Sequence, residues 1–263
     1  MYGSPRPYRL AVLAIVLAAC AKKEVPVVDV KGECADLNSA SVCTWAQMQG
    51  GAVVAAGATV PIAGIENAPP EPPMAWPPVA SSVVNVPESA RAGSGFNFLT
   101  IYWEAMGHPP GAYLTPHFDF HFYVISPEEL AAIDCKDLSK PAALAAAYGL
   151  PDVPLPPPMA KAIGVDTLVG LCVPKMGMHS VLNVELASTT TFRGTMVIGY
   201  YKGKPIFIEP MLSKAMMMEK KSFDLPIPTI PGLAGTYPRK FHADWDASSS
   251  SYKFVFSGFA PGA

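Results

Sequence analysis

The sequence predicts a mainly β protein, a β-sandwich or jelly-roll barrel carrying a short helical insertion. Three observations carry that expectation. The 263 residues include 29 prolines and 21 glycines, which interrupt helix interiors and serve turns. Runs rich in β-branched and aromatic residues recur between turn signals, with few long helical periodicities among them. Finally, Pro116-His117-Phe118-Asp119-Phe120-His121-Phe122-Tyr123 alternates polar and aromatic residues without a break. In an extended strand His117, Asp119 and His121 share one face while Phe118, Phe120 and Phe122 share the other, so one face reads as a site and the other as a core.

The chain begins with an address. Arg6 and Arg9 form a positive start, Leu10 to Leu17 an apolar run, and Leu17-Ala18-Ala19 small residues leading into Cys20. The apolar run is shorter than the ~20 residues of a spanning helix. That ending resembles the lipobox of bacterial lipoproteins, which implies a signal peptide over 1–19, lipidation of Cys20, and membrane attachment through its acyl chains. Ala21 after the cysteine implies, by the same resemblance, sorting to the periplasmic face of the outer membrane.

Export sets how the other cysteines are read. Cys34, Cys43, Cys135 and Cys172 remain, an even number in an oxidising compartment, where disulfides are the default. Three pairings are open; Cys34–Cys43 and Cys135–Cys172 are preferred because each joins residues of one part of the chain. No C-x-x-C spacing points to cysteine ligation of zinc.

Residues 20–78 read as a tether with a small cysteine loop and a proline-rich linker from Ala68 to Pro78. The β domain is then expected over 79–263, one core built from a chain that is half hydrophobic. Strands are expected over Ser81–Val86 and Phe96–Trp103, separated by a turn at Gly93-Ser94-Gly95. Ser126-Pro127-Glu128-Glu129 has capping-box spacing with proline at the first helical position, predicting a helix to about Asp134. A second, alanine-rich helix is expected over Pro141–Tyr148, and Pro151–Pro158 as a proline-rich connection. Val181–Leu186, Phe192–Tyr201, Pro205–Met211, Lys240–Trp245 and Tyr252–Phe259 follow as strands, with Lys202-Gly203 a hairpin turn. Met216 to Met218 read as packing rather than a metal ladder, since adjacent residues cannot share one strand face.

A net charge of −2 with no basic cluster excludes the electrostatic footprint of nucleic-acid binding. The chemistry-bearing residues are the histidines. Of five in the chain, His108, His117, His121 and His179 fall within one stretch. His117 and His121 stand about 13 Å apart at ~3.3 Å per residue, too far to share an ion on a regular strand. The expected set is therefore His117 and Asp119 with His179 brought from another strand, supported by His121 and Glu209. Two histidines and a carboxylate suit a divalent metal ion, with Zn, Fe, Mn, Ni and Cu not distinguished. Glu209, flanked by Ile208 and Pro210, is costly to bury unless paired or bound to metal. Glu104 and His108 are read as making local hydrogen bonds within their turn, and His242 as a surface or core residue.

Three resemblances bear on these residues. Gly111 six positions before His117, and Pro174, His179 and Asn183 at their spacing, are similar to the two cupin motifs; Asp119 stands where cupins have a second histidine. His117-x-Asp119 with a distant His179 and Arg193 is similar to the pattern of 2-oxoglutarate oxygenases. Closer still, the PHFDFHFY core, with Gly107-His108-Pro109-Pro110-Gly111, Met176-Gly177-Met178-His179 and Gly203-Lys204-Pro205 through Glu209-Pro210-Met211, resembles a family of uncharacterised exported bacterial proteins known from Thermus among others. It covers Ile101 to Met211 and implies a β-rich protein, with a homo-oligomer as an option and no assigned reaction. The function expected is a cell-envelope lipoprotein with a His/Asp metal site. A cupin-like or oxygenase-like metalloenzyme and a metal-free β-sandwich module for a partner or glycan are the alternatives.

Overall fold

The structure, a computed structural model, describes residues 25–70 and 75–262; the leader expected over 1–19 and the lipidation expected at Cys20 lie outside the described residues. The principal strands are β1 Val27–Leu37, β2 Ala40–Gln49, β3 Ala52–Pro61, β4 Ser82–Asn85, β5 Phe98–Glu104, β6 His117–Tyr123, β7 Met178–Leu182, β8 Gly194–Tyr201, β9 Lys204–Ser213, β10 Phe223–Pro226, β11 Lys240–Asp246 and β12 Ser251–Ser257. Short helices α1 Ile62–Glu66, α2 Glu88–Ser94, α3 Pro127–Ala131, α4 Pro157–Ile163, α5 Asn183–Leu186 and α6 Lys214–Met217 lie between them.

The strands form two antiparallel sheets. A six-stranded sheet runs β1-β2-β3-β12-β11-β10, and a seven-stranded sheet runs β4-β5-β6-β9-β8-β7 and ends on the two-residue strand Tyr148–Gly149. Each sheet joins an early meander to a later one: the two ends of the chain build the first sheet and its middle builds the second. The sandwich core lies between them, where Phe120 meets Phe254 at 4.9 Å and Phe122 meets Phe256 at 4.8 Å between ring centroids. Aromatic rings carry the largest apolar areas in such cores, and the three β6 phenylalanines are fully buried. The alternation read from the sequence thus takes the core side of β6.

The opposite face of the seven-stranded sheet is also covered, so every residue of β6 is buried. A second apolar cluster there joins Ala112 and Tyr113 of the 105–116 loop, Leu130 and Ile133 of the 124–192 excursion, and Phe192 to Tyr123 and Phe207 of the sheet. The polar side of β6 therefore faces a second, smaller interior and not open solvent.

The tether reading of 20–78 is corrected. Residues 27–61 form three full strands of the six-stranded sheet, and Ile62 and Ile65 of α1 are buried. The β3 segment is almost all alanine, valine and glycine, residues that reveal little strand character by propensity. At Gly57 the neighbouring strand of the same sheet leaves no room for a side chain: a Cβ there would collide with the Phe254 carbonyl on β12. Other expectations shift locally. The capping box of α3 is present, Ser126 Oγ accepting from the Glu129 amide and Glu129 from the Ser126 amide, but the helix ends at Ala131. No helix forms over Pro141–Tyr148; α4 lies instead in and beyond the proline-rich connection, started by Pro157 and stopped by Gly164 in the left-handed region. Gly93 and Ser94 end α2, with Gly95 as its left-handed cap, and Val181–Leu186 divides into the end of β7 and α5.

Two disulfides are formed. Cys34–Cys43 staples β1 to β2 at paired positions, and Cys135–Cys172 ties the segment after α3 to the loop before β7. The Lys202-Gly203 turn has φ of 50° and 72°, the positive values of a two-residue hairpin. Met217 is buried and Met216 packs against Gly194, the packing role expected of these methionines.

Candidate metal centre

Among the described residues, the outer face of the seven-stranded sheet gathers the buried histidine, aspartate and glutamate side chains. Across the β5–β6 ladder, Glu104 pairs with His117, Tyr102 with Asp119 and Thr100 with His121. On the other side, β9 places Met211 opposite Asp119 and Phe207 opposite Tyr123, which brings Glu209 level with His121. His117 and His121 are fully buried, Asp119 is 5% exposed and Glu209 1%.

These side chains, with His108 of the 105–116 loop and His179 of β7, form two clusters, His108 with His117 and Asp119, and His121 with His179 and Glu209. In the first, His117 Nε2 lies 3.3 Å from Asp119 Oδ1 and His108 Nε2 lies 3.8 Å from Asp119 Oδ2. In the second, His121 Nε2 lies 3.3 Å from His179 Nε2 and 3.5 Å from Glu209 Oε2. A tetrahedral ion with bonds of about 2.0–2.1 Å holds its donors about 3.3–3.4 Å apart. Both clusters have edges of that length.

The grouping corrects the set expected from sequence. His179 does not join His117 and Asp119; it joins His121. The reason is register. His179 pairs with Gly199 on β8, Gly199 with Phe207 on β9, and Phe207 with Tyr123 on β6. His179 is thus level with Tyr123, one same-face step from His121 and two from Asp119. Gly199 keeps the path clear, because a Cβ there would strike the Phe207 ring. His108, read from the sequence as a residue making local hydrogen bonds, does both: Nδ1 meets its neighbouring Pro109 carbonyl at 2.8 Å while Nε2 turns to Asp119. His117 and His121, as expected, belong to different clusters.

Three of the four rings are fixed in the same way. The Nδ1 atoms of His108, His117 and His179 meet the carbonyls of Pro109, Thr115 and Leu171 at 2.7–2.9 Å. A ring that donates from Nδ1 to a carbonyl presents a lone pair at Nε2 when neutral, the orientation found for metal-bound histidines. His121 is held by rings instead: Tyr123 stacks on it, and Tyr102 and Phe207 meet it edge-on.

His117 Nε2, Asp119 Oδ1, His121 Nδ1 and Glu209 Oε2 are buried without a hydrogen-bond partner, each a cost of about 1–3 kcal/mol or more. Burial pushes Glu209 well above the usual carboxylate range, helped by the charges of Asp119 and Glu104. Glu104, half-buried, is raised to about 7 by burial and by Asp119. Burial also opposes charge on Asp119, yet His117, His108 and His121 outweigh it and hold the carboxyl at about 2. His117 is the converse: burial disfavours its charge, Asp119 outweighs burial, and its value is raised. Burial and His179 lower His121 to about 3, and burial lowers His179. Neutral imidazoles and a carboxylate are the form in which these groups bind metal.

The remaining candidates are accounted for. Arg193 pairs with Glu219 at 2.7 Å on the surface. His242 is part-exposed beside Asp224. Fold and site define an antiparallel β-sandwich whose outer sheet face carries two adjacent histidine–carboxylate clusters able to hold a metal ion. Compared with family models, curated proteins and solved structures, the chain finds no match, so the site is read from its own geometry.

Proposed function

We propose that this chain is an exported, lipid-anchored protein of the bacterial cell envelope whose task is to hold a divalent metal ion at His121, His179 and Glu209. The carrying observation is the pair of Nε2 atoms at 3.3 Å with the unpartnered Glu209 carboxylate oxygen beside them. Two imidazoles and a carboxylate, with no thiolate, favour Zn, Cu, Ni or Fe over Mg or Ca. Without an ion, the pair is a long N–H···N contact and Glu209 stays buried and unsatisfied, which weighs against a metal-free hydrogen-bond network. Export is supported by the two disulfides and by the leader ending at Cys20. No helix among the described residues is long and apolar enough to cross a membrane, and the acyl chains on Cys20 supply the anchor.

A second reading, a metalloenzyme of cupin-like type, is favoured by one observation: three protein donors leave a tetrahedral ion one open position, as in catalytic zinc sites. Elemental analysis of protein purified from its native envelope tests the metal. Wild type carries a transition metal, and His179→Ala loses it from this cluster. Metal content unchanged in both His179→Ala and Glu209→Gln overturns the proposal. Cys20→Ser tests the anchor separately: the variant appears in the soluble periplasmic fraction, and persistent lipid labelling refutes the lipobox reading.

A further inference from the structure

We infer that the face carries a second ion, held by His108, His117 and Asp119, so that the loaded protein has two metal ions side by side. The inference rests on the same metal reading but concerns a different set of donors.

Charge is the first argument. Glu104, Asp119 and Glu209 stand on one sheet face, where Asp119 acts on Glu104, and both act on Glu209, as like charges. Among the described residues no lysine or arginine forms an ion pair with any of them; the basic side chains beside Asp119 and Glu209 are histidines. Burying carboxylates without counter-charge is costly. One divalent ion at Glu209 offsets part of that charge and leaves Asp119 balanced by its histidines alone, with Glu104 beside it. A second ion at Asp119 completes the balance.

Donor geometry is the second. His117 Nε2 and Asp119 Oδ1 are both buried and without hydrogen-bond partners, 3.3 Å apart, the edge of a tetrahedral ion. His108 closes the set from the loop, its Nδ1 occupied by Pro109 and its side chain 35% exposed. Asp119 and His121 are two residues apart on one strand, so the two ions sit about 7 Å from each other. That spacing exceeds the roughly 3.5–4 Å of two-metal hydrolytic centres, so no single carboxylate need bridge them. The two sites load as neighbours, each with its own two histidines and one carboxylate.

Counting Zn(II) by native mass spectrometry on purified full chain, stripped with chelator and reloaded, tests this. Wild type is expected to bind two ions, and His108→Ala and Asp119→Asn one each. Reloading with Cu(II) is expected to give dipolar broadening in the electron paramagnetic resonance spectrum, lost in each variant. His108 lies in a part-exposed loop, so its variant is expected to fold, checked by an unchanged circular dichroism spectrum. Saturation of wild type at one ion overturns the second site and leaves the first standing. Two ions retained in both variants also overturns it, and zero ions in wild type overturns the metal reading as a whole.

Discussion

His121 and His179 face one another Nε2 to Nε2 at 3.3 Å, although they come from strands separated by two others in the sheet. The contact is possible because Gly199 stands between them in the ladder and carries no side chain. The Phe207 ring lies over that glycine and meets both imidazoles, at 4.6 Å from His121 and 5.2 Å from His179. Gly199→Ala therefore forces the ring out of place. The expected result is a loss of about 1–3 kcal/mol in a urea titration, the usual cost of overpacking, with weakened Zn(II) binding at His179. Full Zn(II) affinity in this variant would show that Phe207 does not position the pair.

Ion binding is expected to release protons in a pattern set by the clusters. In the metal-free protein burial raises Glu209 and favours its protonated form, while His121 and His179 are lowered and favour the neutral form. Binding at that cluster therefore displaces about one proton, from Glu209. In the other cluster Asp119 is already ionised, and the raised His117 is the group that gives up a proton. Calorimetric titration with Zn(II) in buffers of different ionisation enthalpy measures the number. Glu209→Gln should remove the contribution of its own cluster, and a release unaltered by that variant would assign the proton elsewhere.

The same groups give the metal-free protein a defined pH dependence. A carboxyl raised by folding binds more protons in the native than in the unfolded state, so stability falls as pH rises above the unfolded value of 4.5. A histidine lowered to about 3 does the reverse, and stability falls as pH drops from 6.5 towards 3. Metal-free Glu209→Gln should therefore be more stable than metal-free wild type at about pH 8, by roughly 1–3 kcal/mol, and equal to it at about pH 4. Saturating Zn(II) should reverse the order, since only the wild type gains a charged ligand. Urea titrations at both pH values decide it.

The division of β6 into a phenylalanine face and a ligand face was legible because a period of two survives any tertiary context. The hairpin at Lys202-Gly203, the α3 capping box and both disulfide pairs were legible for the same reason, as local or near-local features. What sequence could not supply was register. Nothing in the residues says that β7 lies beyond β8 and β9, or that a glycine opposite His179 lets it lean toward His121 instead of Asp119. The β3 strand was hidden for a different reason: its alanines and glycine carry little strand propensity, and at Gly57 the neighbouring β12 leaves no room for a Cβ. His108 was discounted because its turn explains one ring nitrogen, while the other turns to Asp119 across the fold.

The disulfide between Cys135 and Cys172 should act on one cluster and spare the other. Cys172 follows Leu171, whose carbonyl receives Nδ1 of His179, and the Lys175 amide donates to the Ile133 carbonyl at 2.9 Å. The bridge and that hydrogen bond together fix the segment that orients His179. His108 and His117 take their Nδ1 partners from Pro109 and Thr115 in a different loop. Replacing Cys135 and Cys172 together by serine should cost about 2–4 kcal/mol. It should also weaken Zn(II) binding at His179 by roughly 10–100-fold, the usual effect of losing a group that orients a ligand, with binding at His108 unchanged. The matching double-serine variant at Cys34 and Cys43 is the control, since that bridge joins β1 to β2 in the other sheet. It should lower stability without altering either cluster. Competition with a chelator, read separately for each ion, distinguishes these outcomes; equal weakening of both ions by the Cys135 and Cys172 replacement would mean that the bridge supports the sheet as a whole and does not orient His179.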